Sequence, residues 1–179
     1  TLSKPLVIGG TQSRASVPAT LELDLNGNTI SYTSDVAAHS AMITINSGNK
    51  LVVKDSQGNG KISYNYTGAG DSSFGWGTYT IYNNGGTLVV ENGTIEMLCD
   101  LNANGSVEHM YCAVSQYSGS ATINGGTIST PSYRSVRLWK NNMTINGGVF
   151  EGQVWVQAVD DTSVLTINGG SFAPRGVDG

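Results

Sequence analysis

Charge is scarce in this chain. Lys, Arg, Asp and Glu make up 12% of its 179 residues, about half of the ~25% usual in a globular protein. The net charge is −4 and the basic residues are scattered, so no nucleic-acid partner is expected. Cysteine and histidine are limited to two each. Cys99, Cys112, His39 and His109 complete no zinc set, so no metal and no cofactor is expected. The two cysteines bracket the segment from Asp100 to Tyr111. They either close it as a disulfide or leave Cys112 as a buried core residue facing inward on its strand. No apolar run reaches membrane length and no signal peptide is present, so no membrane insertion is expected. A helical stripe, a glycine-rich phosphate loop and a nucleophile elbow are missing as well.

Glycine, by contrast, is abundant, with 24 residues, nearly twice the usual ~7%. Asn, Ser and Thr accompany it. Apolar residues stay evenly patterned through the chain, which excludes a disordered composition.

One motif returns at a fixed interval. ATINGGTI occupies Ala121 to Ile128, MTINGGVF Met143 to Phe150, and LTINGGSF Leu165 to Phe172, with starts 22 residues apart. Weaker copies start at Leu23, Leu51 and Leu88, with spacings of 28, 37 and 33. Such a period marks a solenoid, with 22 residues as the bare coil and the excess as inserted loops. Ile123, Ile145 and Ile167 are predicted to point inward and the threonines between outward. Asn-Gly-Gly turns the corner, and Asn124, Asn146 and Asn168 are predicted to form a ladder of side-chain amides. A second strand places Ile95, Ile128, Phe150 and Phe172 inward. A third, ahead of each copy, places Ile81, Val114, Leu138 and Val156 inward. Asn-Gly is also a hairpin signal, but too few strand-like residues follow it for a returning strand. A leucine-rich repeat needs leucines that are not present.

The fold expected is therefore all-β: a single-stranded parallel β-helix (β-solenoid) of about six coils, with three short strands per coil. It forms one domain over 1–179. The strand-like start at Thr1 to Ile8 and the missing amphipathic cap helices suggest a segment of a longer protein.

The TINGG copies and Leu23-Asp-Leu-Asn-Gly-Asn-Thr-Ile30 resemble the right-handed parallel β-helix superfamily, often called pectate-lyase-like. The resemblance covers Thr20 to Phe172. It implies a right-handed solenoid and a secreted setting: extracellular, on a cell surface or on a virion surface. Its members include polysaccharide lyases and hydrolases, bacterial adhesins, and phage fibre or tailspike domains. The family's polygalacturonase motifs are absent from this chain.

Two features bear on function. The insertions at Ser31–Ala41, Ser63–Thr78, Glu96–His109 and Ser129–Ser135 should share one corner, as binding loops on repeat rods often do. Beside that corner, Tyr82, Tyr111, Arg137, Trp139 and Trp155 are predicted to face outward as a stripe, with Trp76 on a neighbouring loop. Aromatic faces stack on sugar rings, so the expected partner is a polysaccharide or cell-surface glycan. Packing of the rings onto the rod, or contact with other subunits of an assembly, is the competing use. For catalysis the candidates are weak. Glycosidases need a carboxylate pair, and the one adjacent pair, Asp160 and Asp161, stands at a turn where Asp serves backbone hydrogen bonding. Glu151 and Asp161 with Arg137 and Lys140 are the remaining acid/base candidates, and nothing in their spacing demands such a site. The leaning is toward a non-catalytic recognition or structural module, with a polysaccharide lyase or glycoside hydrolase, and a purely structural stalk, as alternatives.

Overall fold

Alternating apolar and polar residues turn about two thirds of the described residues into strand. The structure is a computed structural model that describes residues 1–9, 18–35, 41–68, 77–99, 111–157, 161 and 163–173, with the backbone alone at 131–133. Among these residues there are fourteen strands and no helix. They are β1 (Leu6–Ile8), β2 (Thr20–Asp24), β3 (Thr29–Ser34), β4 (Ala41–Asn46), β5 (Lys50–Lys54), β6 (Lys61–Tyr66) and β7 (Thr78–Val90). After these come β8 (Thr94–Cys99), β9 (Tyr111–Ile123), β10 (Thr127–Leu138), β11 (Asn142–Ile145), β12 (Val149–Val156), β13 (Val164–Ile167) and β14 (Ser171–Ala173).

Every described pairing is parallel, and all fourteen strands join one sheet that curls through 301°. The fold is a parallel, β-solenoid-like one. The pairings fall into ladders in which like stacks on like. One joins β2, β5, the end of β7, the end of β9, β11 and β13. Another joins β3, β6, β8, the start of β10, the start of β12 and β14. A further ladder joins β1, β4, the start of β7, the start of β9, the end of β10 and the end of β12. Ile145 pairs with both Ile123 and Ile167, as the period predicts, and Ile123 and Ile145 are fully buried. Ile128 pairs with Phe150, and Phe150 stacks on Phe172 with centroids 4.9 Å apart. Burying such a side chain contributes about 1.5–3 kcal/mol, and the rows multiply that along the sheet.

The Asn-Gly-Gly corner behaves as expected. Asn168 Nδ2 donates to Asn146 Oδ1, and Asn146 Nδ2 to Asn124 Oδ1, both at 2.8 Å. The left-handed conformation falls on the second glycine of each TINGG copy, as at Gly126 with φ 86°, and leaves the asparagine to the ladder.

Two register expectations need correction. Leu21, not Leu23, pairs with Leu51, so the first copy starts two residues earlier. The extra residues form a turn in which the Asn28 backbone and side chain both donate to the Leu25 carbonyl. In the ladder ahead of each copy, Val136 and Val154 align with Ile81 and Val114. Leu138 is buried but pairs with Gln116, and Val156 is 39% exposed. Both cysteines are free thiols.

The longer early turns are braced by carboxylates. Asp55 accepts from the amides of Gly27 at 2.7 Å and Gly60 at 2.6 Å. Asp24 accepts from Asn26 and Ser56. The Gly27 amide, above all, holds the Asp55 carboxyl below its ordinary value of 3.8, and the Ser56 amide does the same for Asp24. A depressed folded pKa adds stability above the unfolded value, and that stability is lost as pH falls through the folded one. The melting temperature should therefore hold down to about pH 5 and fall below about pH 4. Asp55→Asn should flatten that acid limb in a calorimetric pH series. An unchanged limb would remove Asp55 from the account.

Candidate binding face

Strict alternation fails at one bend, and that failure builds the face. Met42 and Ile43 both enter the main core, as do Ala113 and Val114. Thr80 and Ile81 repeat the pattern, since the Thr80 hydroxyl donates to the Glu96 carbonyl on the core side. Residues flanking each inward pair face out on both sides of the bend. The sheet is re-entrant here, so the two outward rows turn toward each other. Tyr79 and Tyr82 stack with centroids 5.1 Å apart and planes 12° apart. Ala41, Tyr79 and Cys112, with Tyr82 against them, form an apolar cluster separate from the main core.

Tyr82, Ser115, Arg137 and Trp155 occupy one row of paired positions on successive strands. Trp139 is tied by its backbone amide to the Gln116 carbonyl, which brings its ring to Tyr117, 5.9 Å away. Tyr117 lies 5.8 Å from Tyr82. Tyr82, Tyr117 and Trp139 thus form a continuous run of rings on β7, on β9 and just past the end of β10, with Tyr117 38% exposed and the other two half-buried.

Two arginines lie beneath the rings. The Arg134 guanidinium sits 3.5 Å from the Trp155 ring centroid. That of Arg137 lies 4.1 Å from Trp139 and 5.4 Å from Trp155. Arg137 Nη1 donates to the Tyr79 hydroxyl at 3.0 Å and Nη2 to Gln157 Oε1 at 2.9 Å. Arg137 is only 5% exposed, and its Nε has no hydrogen-bond partner. Neither the Lys54–Glu22 nor the Lys61–Glu96 ion pair involves Arg137.

Burial pushes the Tyr82 phenol up to about 12 and raises that of Tyr79. It also pushes the Cys112 thiol up to about 11, which makes Cys112 a neutral packing group at ordinary pH. The face presents ring surfaces, neutral hydroxyls and a desolvated cation. That is the equipment of a binding surface for a ligand with flat apolar faces and polar edges.

The structure brings Tyr82, Arg137, Trp139 and Trp155 together. Tyr111 is a correction: it lies 5.2 Å from Tyr66 in the main core and is 5% exposed. It precedes the bend, where the alternation used to place it outward does not hold. Cys112 is buried as expected, but on the outer side of that bend rather than in the main core. Trp76 and Asp160 lie outside the described residues, and Asp161 is exposed in a turn. Among the described residues no group of three or more His, Cys, Asp or Glu could hold a metal ion. Sequence reasoning missed Tyr79, Tyr117, Arg134 and Gln157. Tyr117 becomes the neighbour of Trp139 only through the pairing of Leu138 with Gln116, two residues off the register that the sequence pattern implies.

No family model, curated protein or solved structure matches the chain.

Proposed function

We propose that this chain is a non-catalytic carbohydrate-recognition module of an extracellular or virion surface protein. It is built as one right-handed parallel β-helix of about six coils with three strands each. The pairing ladders support the strand number, and the right-handed rule for parallel crossovers supports the hand. The observation that carries the functional reading is the outward run of Tyr82, Tyr117 and Trp139. Sugar rings have an apolar face fringed by hydroxyls, and a row of aromatic rings following successive strands offers an extended glycan repeated stacking positions.

Trp139 is the residue to remove. Trp155 is packed against two guanidinium groups, so its loss would disturb the fold as well. Among the described residues Trp139 packs against one guanidinium only, so Trp139→Ala should weaken binding of a responsive oligosaccharide up to about tenfold, from at most ~1.5 kcal/mol of stacking, with a smaller fall in melting temperature than Trp155→Ala. Titration calorimetry against a panel of oligosaccharides, with product analysis of the longer polymers, checks this. Undiminished binding by Trp139→Ala would remove the platform, and shortened polymer would replace recognition with cleavage.

A further inference from the structure

We infer that Arg137 makes the face selective for an acidic ligand, with a carboxylate or sulfate ester of the glycan seated on its guanidinium. This deepens the carbohydrate reading and rests on it. A guanidinium is withdrawn from water at a cost that good geometry and opposite charge must offset. Among the described residues the partners around Arg137 are all neutral: the Tyr79 hydroxyl, the Gln157 amide oxygen, and the faces of Trp139 and Trp155. Tyr79 keeps its proton, since burial raises its pKa, and so supplies no negative charge.

The arrangement of these partners points to where the charge comes from. Nη1 is committed to Tyr79 inside the cluster. Nε and Nη2 form the side-on fork of the guanidinium, whose parallel N–H bonds match the two oxygens of a carboxylate or two of a sulfate. On that fork Nη2 meets a single amide oxygen and Nε meets none. Gln157 is half-buried, just beyond the end of β12, and its Oε1 is a neutral placeholder. An incoming oxyanion displaces it and occupies both arms of the fork. The rings of Trp139 and Tyr117 lie alongside to take the sugar that bears the acid.

Gln157→Glu tests this within the chain. The variant fixes a carboxylate on the fork, so the protein supplies the anion itself. Wild type and variant are titrated with alginate hexamers for the carboxylate, carrageenan hexamers for the sulfate ester and cellohexaose for the neutral chain, at low and physiological salt. The wild type should bind one acidic hexamer roughly ten- to a hundred-fold tighter than cellohexaose, as a charge-assisted pair gives, with a preference that salt weakens. Which acidic hexamer responds identifies the oxyanion. Gln157→Glu should lose that preference and melt at a higher temperature. Equal binding of acidic and neutral hexamers by the wild type, or an acidic preference intact in Gln157→Glu, overturns the role of Arg137 and leaves the carbohydrate reading standing. Binding of none of the hexamers overturns both.

Discussion

Ile145→Ala is expected to lower the free energy of unfolding by about 2–5 kcal/mol. Ile145 is fully buried and sits in register between Ile123 and Ile167. Its strand, β11, is hydrogen-bonded on both sides, to β9 and β13, so the backbone has little freedom to close over the lost methyl groups. A cavity that cannot collapse lies at the costly end of such substitutions. Thr144, on the outer face of the same strand and half-buried, provides the comparison. Thr144→Ala should stay within about 0.5 kcal/mol. Urea unfolding of the two variants checks both, and equal losses would mean that β11 is inside out.

Gly147→Ala should also destabilise, by about 1–3 kcal/mol, although alanine is normally the more favourable residue in a folded chain. A Cβ at Gly147 would come 2.8 Å from the Asn124 carbonyl oxygen. That oxygen is backbone, in a residue whose own amide is bonded to the Val90 carbonyl, and cannot swing aside as a side chain would. The clearance recurs at 2.8 Å for Gly125 and 2.7 Å for Gly169, so each layer rests directly on the corner below it. The same urea titration measures the change. A stabilised Gly147→Ala protein would show that the corners are not in contact.

These two predictions concern the part of the fold that was legible beforehand. Identical TINGG copies fix their own register, because Asn and Gly mark the corner and leave no freedom to slide. Where markers were weak, the period-2 pattern of a strand admitted a slip of two. Leu21, Leu23 and Leu25 alternate, and any of them could have been placed over Leu51. Val136 and Leu138, and Val154 and Val156, pose the same ambiguity. The binding face was harder still. It depends on the bend where Ala113 and Val114 both turn inward, and no local pattern announces two consecutive inward residues. The outward row after the bend was therefore found through Tyr82 and Trp155. The row before it, with Tyr79, carries no such signal, and strict alternation there points Tyr111 outward although it lies in the main core.

The amide ladder at the Asn-Gly-Gly corner has a direction, and its origin lies one layer below the asparagines. Asn124 Nδ2 donates at 2.7 Å to Glu91 Oε2. An ionised carboxylate accepts hydrogen bonds and has no hydrogen to give, so Asn124 must turn its nitrogen toward Glu91 and its oxygen the other way. That oxygen in turn requires the nitrogen of Asn146, whose oxygen requires the nitrogen of Asn168. One ionised side chain thus sets the sense of three uncharged ones, and their dipoles align head to tail so that each link polarises the next.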